Sequence, residues 1–179
     1  MNAALPRIRP VRVEDMPAIT AIYAAQVAGG VATYEYDPPD VDEMRRRMQA
    51  LLDQGYPYLV AECDGRVAGY AYAGSYRARS AYRFTVENTV YVDAAFHGRR
   101  IGSALLQALI EACTARGFRQ MIAVIGDSAN AASVRLHERA GFRTVGVFQG
   151  IGRKHGRWLD LLQMQRALSE GAAGAPFDE

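Results

Sequence analysis

The sequence predicts an α/β fold of the α+β type: a mixed, mostly antiparallel, twisted sheet of about six to seven strands flanked by about four helices. Three observations carry that prediction. Strand-like and helix-like periodicities follow one another in the order β-α-α-β-β-β-α-β-α-β-β. The dipeptide Asp64-Gly65 separates two strand-like runs and supplies the positive φ angles that a tight hairpin turn needs. A strand, a helix and an apolar strand then follow between residues 83 and 125, the pattern of a single crossover unit.

Each element has its own signal. Ile8-Arg9 reads as a short first strand. Asp15 is placed to cap a helix with Pro17 in its first turn and an apolar face of Ile19, Ile22, Tyr23 and Val27. Pro38-Pro39 breaks the chain, after which Asp40 and Glu43 make a capping-box-like start and Val41, Met44, Met48, Leu51 and Leu52 form a buried stripe. Between the two helices, residues 29–37 have no clean period, so a loop able to close over a ligand is expected there. The hairpin pairs 58–63 with 66–72, and a long strand runs from about Arg83 to Val92. After Gly102, Ala104, Leu105, Ala108, Leu109, Ala112 and Cys113 recur at helical spacing, and Gly117 is placed to end that helix. Residues 121–125 are a fully apolar strand. A helix from about Asn130 to Ala140 stops at Gly141, and two strands, 142–148 and 158–165, close the pattern. Residues 1–168 read as one domain and 169–179, rich in Gly and Ala, as a frayed tail.

Composition narrows the function classes. A chain of 179 residues that is 50% hydrophobic can bury one good core. A formal charge of +2, with Lys and Arg spread along the chain, falls short of a nucleic-acid binder and suits a small anionic ligand better. Cys63 and Cys113 lie in apolar runs without metal-type spacing and read as core thiols in a reducing compartment. No metal site is expected. Neither a leader pattern nor an apolar run of about 18 residues is found, so a cytoplasmic protein with no membrane partner is expected.

The stretch from Thr85 to Leu106 carries the chemistry. It joins a strand bearing one acid, Glu87, to the turn His97-Gly-Arg-Arg-Ile-Gly102, which opens a helix. The first N–H groups of a helix lack internal partners and sit at the positive end of its dipole, so phosphate or pyrophosphate is the natural ligand of such a turn. If the strand alternates regularly, Arg83, Thr85, Glu87, Thr89 and Tyr91 share one face, and Phe84, Val86, Asn88, Val90 and Val92 the other. The Glu87 face is too polar for simple core. Two readings of Glu87 remain open: a proton acceptor, or a sheet-edge carboxylate paired with Arg83.

The element order, the Thr-Val-Glu…Val-Tyr-Val strand running into that turn, the helix from Asn130 through Arg135-Leu-His137-Glu to Gly141-Phe142, and the block Lys154-His-Gly-Arg-Trp-Leu-Asp160 together resemble the GCN5-related N-acetyltransferases (GNAT). Within them the chain is most similar to the phosphinothricin and methionine sulfoximine acetyltransferase branch. The resemblance covers about residues 7–168. It implies acetyl-CoA as co-substrate and direct transfer to the amino group of a small amino-acid-like acceptor, in a homodimer. It makes Glu87 the general base with Thr89 in its network, and the backbone of Val90, Tyr91 and Val92 the rail for pantetheine and the thioester oxygen. His97, Gly98, Arg99, Arg100, Ile101 and Gly102 become the pyrophosphate turn, with His97 and Arg100 departing from the usual pattern, Arg100 standing where glycine is usual. His137 is then either the acid for the departing thiolate, a residue that orients the network, or a satisfied core histidine. Asn130 suits an N-cap, a pantetheine contact, or both.

An amino-acid acceptor needs a cationic cradle for its carboxylate. The resemblance favours the loop Arg77, Ser80, Ala81, Tyr82 and Arg83 together with Lys154, and Tyr34 and Tyr36 can wall the pocket. Other acceptors, a polyamine, an aminoglycoside or a peptide N-terminus, keep the same fold, and a non-catalytic acyl-CoA-binding module is the rival from another class.

Overall fold

The computed structural model describes residues 6–174. Its elements are β1 (Arg7–Pro10), α1 (Met16–Gly29), α2 (Val41–Asp53), β2 (Tyr58–Cys63), β3 (Arg66–Ser75), β4 (Thr85–Val92), α3 (Ile101–Ala115), β5 (Gln120–Gly126), α4 (Ala131–Arg139), β6 (Arg143–Lys154) and β7 (Arg157–Ala167). The strands form one sheet of seven in the order β1-β2-β3-β4-β5-β7-β6. Every adjacent pair is antiparallel except β4 and β5, which the crossover through α3 makes parallel.

Several boundaries differ from expectation for physical reasons. Asp15 does not cap α1 with its side chain. Its carboxylate instead takes two hydrogen bonds from the Arg9 guanidinium at 2.7 and 2.8 Å and one from the Arg12 N–H at 2.8 Å, ending a 3-10 turn, Val13–Asp15, that feeds the helix. Asp40 does cap α2, accepting from the Glu43 N–H at 2.7 Å. Leu52 is an exposed member of the expected stripe, whereas Met44 and Met48 are buried. Arg83 and Phe84 precede β4 rather than belonging to it, and β6 and β7 run longer than their apolar runs suggested. Of the expected tail, residues 169–174 form turns that Arg119 holds through the Gly171 and Gly174 carbonyls, at 2.8 and 3.1 Å; residues 175–179 lie outside the described part.

The sheet carries a core on each face. On one, α1 and α2 press Met16, Ile19, Val27, Met44 and Met48 onto Val60, Tyr58 and Tyr70. On the other, Leu105, Leu106, Leu109, Ile110 and Cys113 of α3 cover Ala61, Ala71, Ala73, Val86 and Met121, a face wider than the predicted stripe. Small residues under α3 let it approach closely: a Cβ at Gly69 would lie 2.7 Å from the Tyr91 carbonyl and 3.2 Å from Leu105. Each leucine so buried contributes about 1.5–3 kcal/mol. Both cysteines are buried free thiols. Among the described residues no helix is long and apolar enough to cross a membrane.

Candidate active site

The parallel ladder between β4 and β5 stops at the pair Asn88 and Ala123, although β4 continues to Val92 and β5 to Gly126. Beyond that pair the strands part, and their facing edges line a cavity of about 290 Å³. The loop after α1 bridges the far end: Tyr91 of β4 donates to the Ala32 carbonyl at 3.2 Å, and Tyr34 donates to the Asp160 carbonyl of β7 at 2.6 Å, alongside Gly126 of β5. The result is a slot framed by backbone at both ends.

Glu87 lines this slot from the α1–α2 face, where Tyr91 joins the core beneath those helices. Burial raises its carboxyl above the ordinary glutamate range. Thr89 also lines the slot, opposite Tyr72 of β3, whose pKa burial pushes up. Tyr23 completes the wall, its hydroxyl 2.8 Å from the Thr33 hydroxyl and 3.0 Å from the Glu35 carboxylate. Edge-to-face packing of Tyr23 on Tyr91, with centroids 5.4 Å apart, stiffens that side.

His137 reaches the slot from the other face, on α4. It is 4% exposed, with Nδ1 2.8 Å from the Ser133 carbonyl and Nε2 3.0 Å from Asn88 Oδ1. Burial holds the imidazole below its ordinary pKa, against the opposing pull of the Ser133 carbonyl. Its partner is thus Asn88, and the two candidate proton carriers, Glu87 and His137, stand on opposite faces of the sheet. Asn130 caps α4 by accepting from the Ser133 N–H at 3.2 Å and lines the slot as well.

On the α3–α4 face a second cavity of about 650 Å³ adjoins the slot, lined by Val90, Tyr91, Val92, His97, Gly98, Arg100, Ile101, Gly102 and Asn130, with Arg135 and Arg139 of α4 at its rim. Two residues of the turn take positive φ, Gly98 at 78° and Arg100 at 60°, which turns the chain sharply into α3. The first N–H groups of α3 therefore open onto a space large enough for a diphosphate, with cationic side chains around it. His97 points back, its Nε2 3.2 Å from the Val92 carbonyl. Arg99 lies off the cavity, stacked over Phe96 at 5.4 Å and 3.7 Å from Asp64.

The other predicted positions are more scattered. Tyr34 lines the slot, but its hydroxyl is engaged by the Asp160 carbonyl. Tyr36 bonds the Arg153 carbonyl and is 70% exposed. Lys154 is buried, donating to the Thr33 carbonyl at 2.8 Å and the Gln26 carbonyl at 3.5 Å, so its ammonium closes the end of α1 rather than facing the slot. The Arg77–Arg83 loop, with Ser80–Tyr82 in a 3-10 turn, leads into β4 two residues before Glu87. Arg77 lies over the rings of Tyr76 and Tyr82, and Arg83 over Phe84. Tyr72, Tyr23 and Asn88 escaped sequence reasoning. A usable signal existed for Asn88, an amide alone on an otherwise apolar strand face, since a buried amide demands partners.

Residues 8–162 match the acetyltransferase (GNAT) domain family. The chain belongs to the GNAT acetyltransferases. It is 51% identical over 169 residues to phosphinothricin N-acetyltransferase of Alcaligenes faecalis, covering 94% of this chain and 86% of that one. To the L-methionine sulfoximine/L-methionine sulfone acetyltransferase of Pseudomonas paraeruginosa it is 44% identical over 162 residues, 90% of this chain and 94% of the relative. A phosphinothricin acetyltransferase from Sinorhizobium meliloti, solved with AcCoA, superposes with a TM-score of 0.95 at 46% identity, covering 98% of this chain and 95% of that one. This GNAT chain is accordingly an acetyl-CoA-dependent N-acetyltransferase with the expected α/β fold. Among its described residues no group of His, Cys, Asp and Glu is arranged to hold a metal ion.

Proposed function

We propose that the enzyme acetylates the α-amine of a small amino-acid-like acceptor of the phosphinothricin, methionine sulfoximine or methionine sulfone type. The observation that carries this reading is the slot itself: a half-buried carboxylate with a raised pKa on one face, and a diphosphate-sized cavity opening on the other. The names of relatives at 44–51% identity support the acceptor class.

Acetyl-CoA, when bound, supplies an activated acetyl group. The chain's own residues do the rest. Amines are mostly ammonium near neutral pH, so Glu87, directly or through water, takes a proton from the acceptor nitrogen and contributes about 10²–10⁴ in rate. Tyr72 and Thr89 line the slot beside it. The backbone N–H groups of Val90 and Val92, which alternate with the Tyr91 N–H that faces β3, point into the gap and polarise the thioester carbonyl. The 97–102 turn and α3 hold the diphosphate. Asn130, whose oxygen is engaged in capping, offers its amide N–H to the pantetheine arm. The acceptor carboxylate is held by the Arg77–Arg83 loop, which leads into β4 two residues before Glu87, whereas Lys154 braces the loop that walls the pocket. Residues 1–168 act as one domain, in the cytoplasm, without nucleic-acid or membrane partners. The enzyme works as a homodimer, a reading supported by the edge strand β6, whose Val145, Val147, Phe148 and Ile151 are all exposed next to Trp158 of β7, itself 67% exposed.

A thiol-release assay tests the acceptor class. Phosphinothricin and methionine sulfoximine should be acetylated much faster than spermidine, kanamycin or the decarboxylated analogue of either, because losing the carboxylate leaves the cationic loop unpaired. Equal turnover of acid and decarboxylated analogue would reject it.

A further inference from the structure

Asn88 occupies the last paired position of the β4–β5 ladder, where the sheet begins to part. It is buried, and its amide makes two hydrogen bonds. Nδ2 donates to the Ile122 carbonyl of β5 at 3.1 Å, across the seam, and Oδ1 lies 3.0 Å from His137 Nε2 on α4. One side chain thus ties together β4, β5 and α4 at the corner of the slot. An amide is suited to this task, having both a donor and an acceptor on one planar group.

Proton bookkeeping sharpens the picture. The Ser133 carbonyl only accepts, and so does the Asn88 oxygen, whose own amide donor is spent on the Ile122 carbonyl, so each ring nitrogen of His137 faces an acceptor. A neutral ring has one N–H and satisfies one of the two. Both contacts are complete only when both nitrogens carry a proton. The groups that meet the ring are Asn88 from β4, the Ser133 carbonyl from α4 and the edge-on ring of Phe142 at 5.0 Å, none of them charged.

We propose that Asn88 is the positioning residue of this acetyl-transfer slot: it sets the spacing between β4 and β5 where they part, and it fixes the orientation of His137 so that both ring nitrogens can carry a proton without any neighbour moving. The inference rests on reading the slot as the place of acetyl transfer. Asn88 itself touches neither reactant in this account. Its effect runs through the width of the slot and through His137.

Imidazole ¹⁵N resonances of the wild-type enzyme give the first test. They should show one dominant, fixed protonation form of His137, and a tautomer mixture like that of a free imidazole would overturn the proposal. Steady-state kinetics of Asn88→Asp and Asn88→Ala give the second. Asn88→Asp keeps the shape and an acceptor at Nε2 but loses the donor to Ile122; it should move the His137 titration upward and lower kcat on the order of 10- to 100-fold, while the acceptor KM stays within about twofold. Asn88→Ala should lower kcat at least as far, raise the KM for acetyl-CoA and lose the single protonation form. Where Asn88→Ala fails to fold, the isosteric Asn88→Asp decides alone, with the wild-type resonances. Wild-type kcat and both KM values in a folded Asn88→Asp enzyme would show that the amide merely satisfies two buried groups. A wild-type enzyme that released no thiol with any amine would defeat the transfer reading instead, and the resonances would still report on the geometry.

Discussion

Arg100 holds φ at 60° in the left-handed region, the only arginine among the described residues to do so, and it does so at the residue that leads into α3. A residue with a Cβ is strained there by roughly 1–2 kcal/mol. That strain gives the physical reason why glycine suits this place in the turn, a departure visible in the sequence whose backbone cause was not. Arg100→Gly should leave the melting temperature unchanged or raise stability by up to about 1 kcal/mol, since relief of strain offsets the greater freedom of the unfolded chain. Because the side chain is exposed, coenzyme A affinity measured by calorimetry should fall less than about fivefold. A larger loss would make the guanidinium a direct phosphate ligand. Glu87 carries the opposite kind of tension. Its carboxyl is raised by burial, so ionising it in the folded protein costs stability that grows as pH climbs from the unfolded value, about 4.3, through the raised folded value. Glu87→Gln should lower kcat on the order of 10²-fold and yet leave urea stability at pH 7 equal or higher. The acid limb of wild-type kcat/KM should lie above the ordinary glutamate range, and a limb at the ordinary value would return Glu87 to the sheet-edge reading. Alternation along β4 already placed Glu87, Thr89 and Tyr91 on one face; the burial that tunes Glu87 comes from residues such as Tyr72 packed beneath α1 and α2 on that same face, which local periodicity does not report.

At the scale of elements, the β6–β7 hairpin acts as a brace for the loop after α1. Tyr34 lies against Gly152 of β6 and Gly126 of β5, where a Cβ on either glycine would overlap its ring. Tyr36 bonds the Arg153 carbonyl, Lys154 the Thr33 carbonyl, and His155 the Gly30 carbonyl at 3.2 Å. Gly152→Ala should therefore cost about 1–3 kcal/mol in chemical denaturation and raise the acceptor KM, because a ring pinned at both ends has nowhere to move. Unchanged stability and KM would show that the loop shifts freely. The hairpin was legible as two strands, but its turn was not: His155 and Gly156 take φ of 49° and 76°, a pair that asparagine-glycine signals and histidine-glycine does not. Hence the Lys154 block looked like a ligand site, whereas its ammonium serves the loop. By contrast the Asp64-Gly65 turn, with φ of 51° and 72°, announced itself in the sequence.

For the whole molecule, the order of elements was readable because each helix and strand has its own period, while the parting of β4 and β5 was not, since nothing in either strand's sequence states where a partner leaves. Assembly belongs to this scale too. A twelve-residue edge strand with exposed Val145, Val147, Phe148 and Ile151 is open to pairing, so Val147→Glu should shift the mass seen by light scattering from dimer to monomer. A wild-type monomer at micromolar concentration would reject the dimer. The slot, framed by the ladder at one end and the braced loop at the other, has a kinetic corollary. On the proposed reading its two reactants come from opposite faces of the sheet, so neither stands in the other's doorway, and neither must depart before the other arrives. Double-reciprocal plots of initial velocity at several fixed acceptor concentrations should therefore converge to a common point. Parallel lines would mean that the acetyl group is parked on the protein between two separate visits.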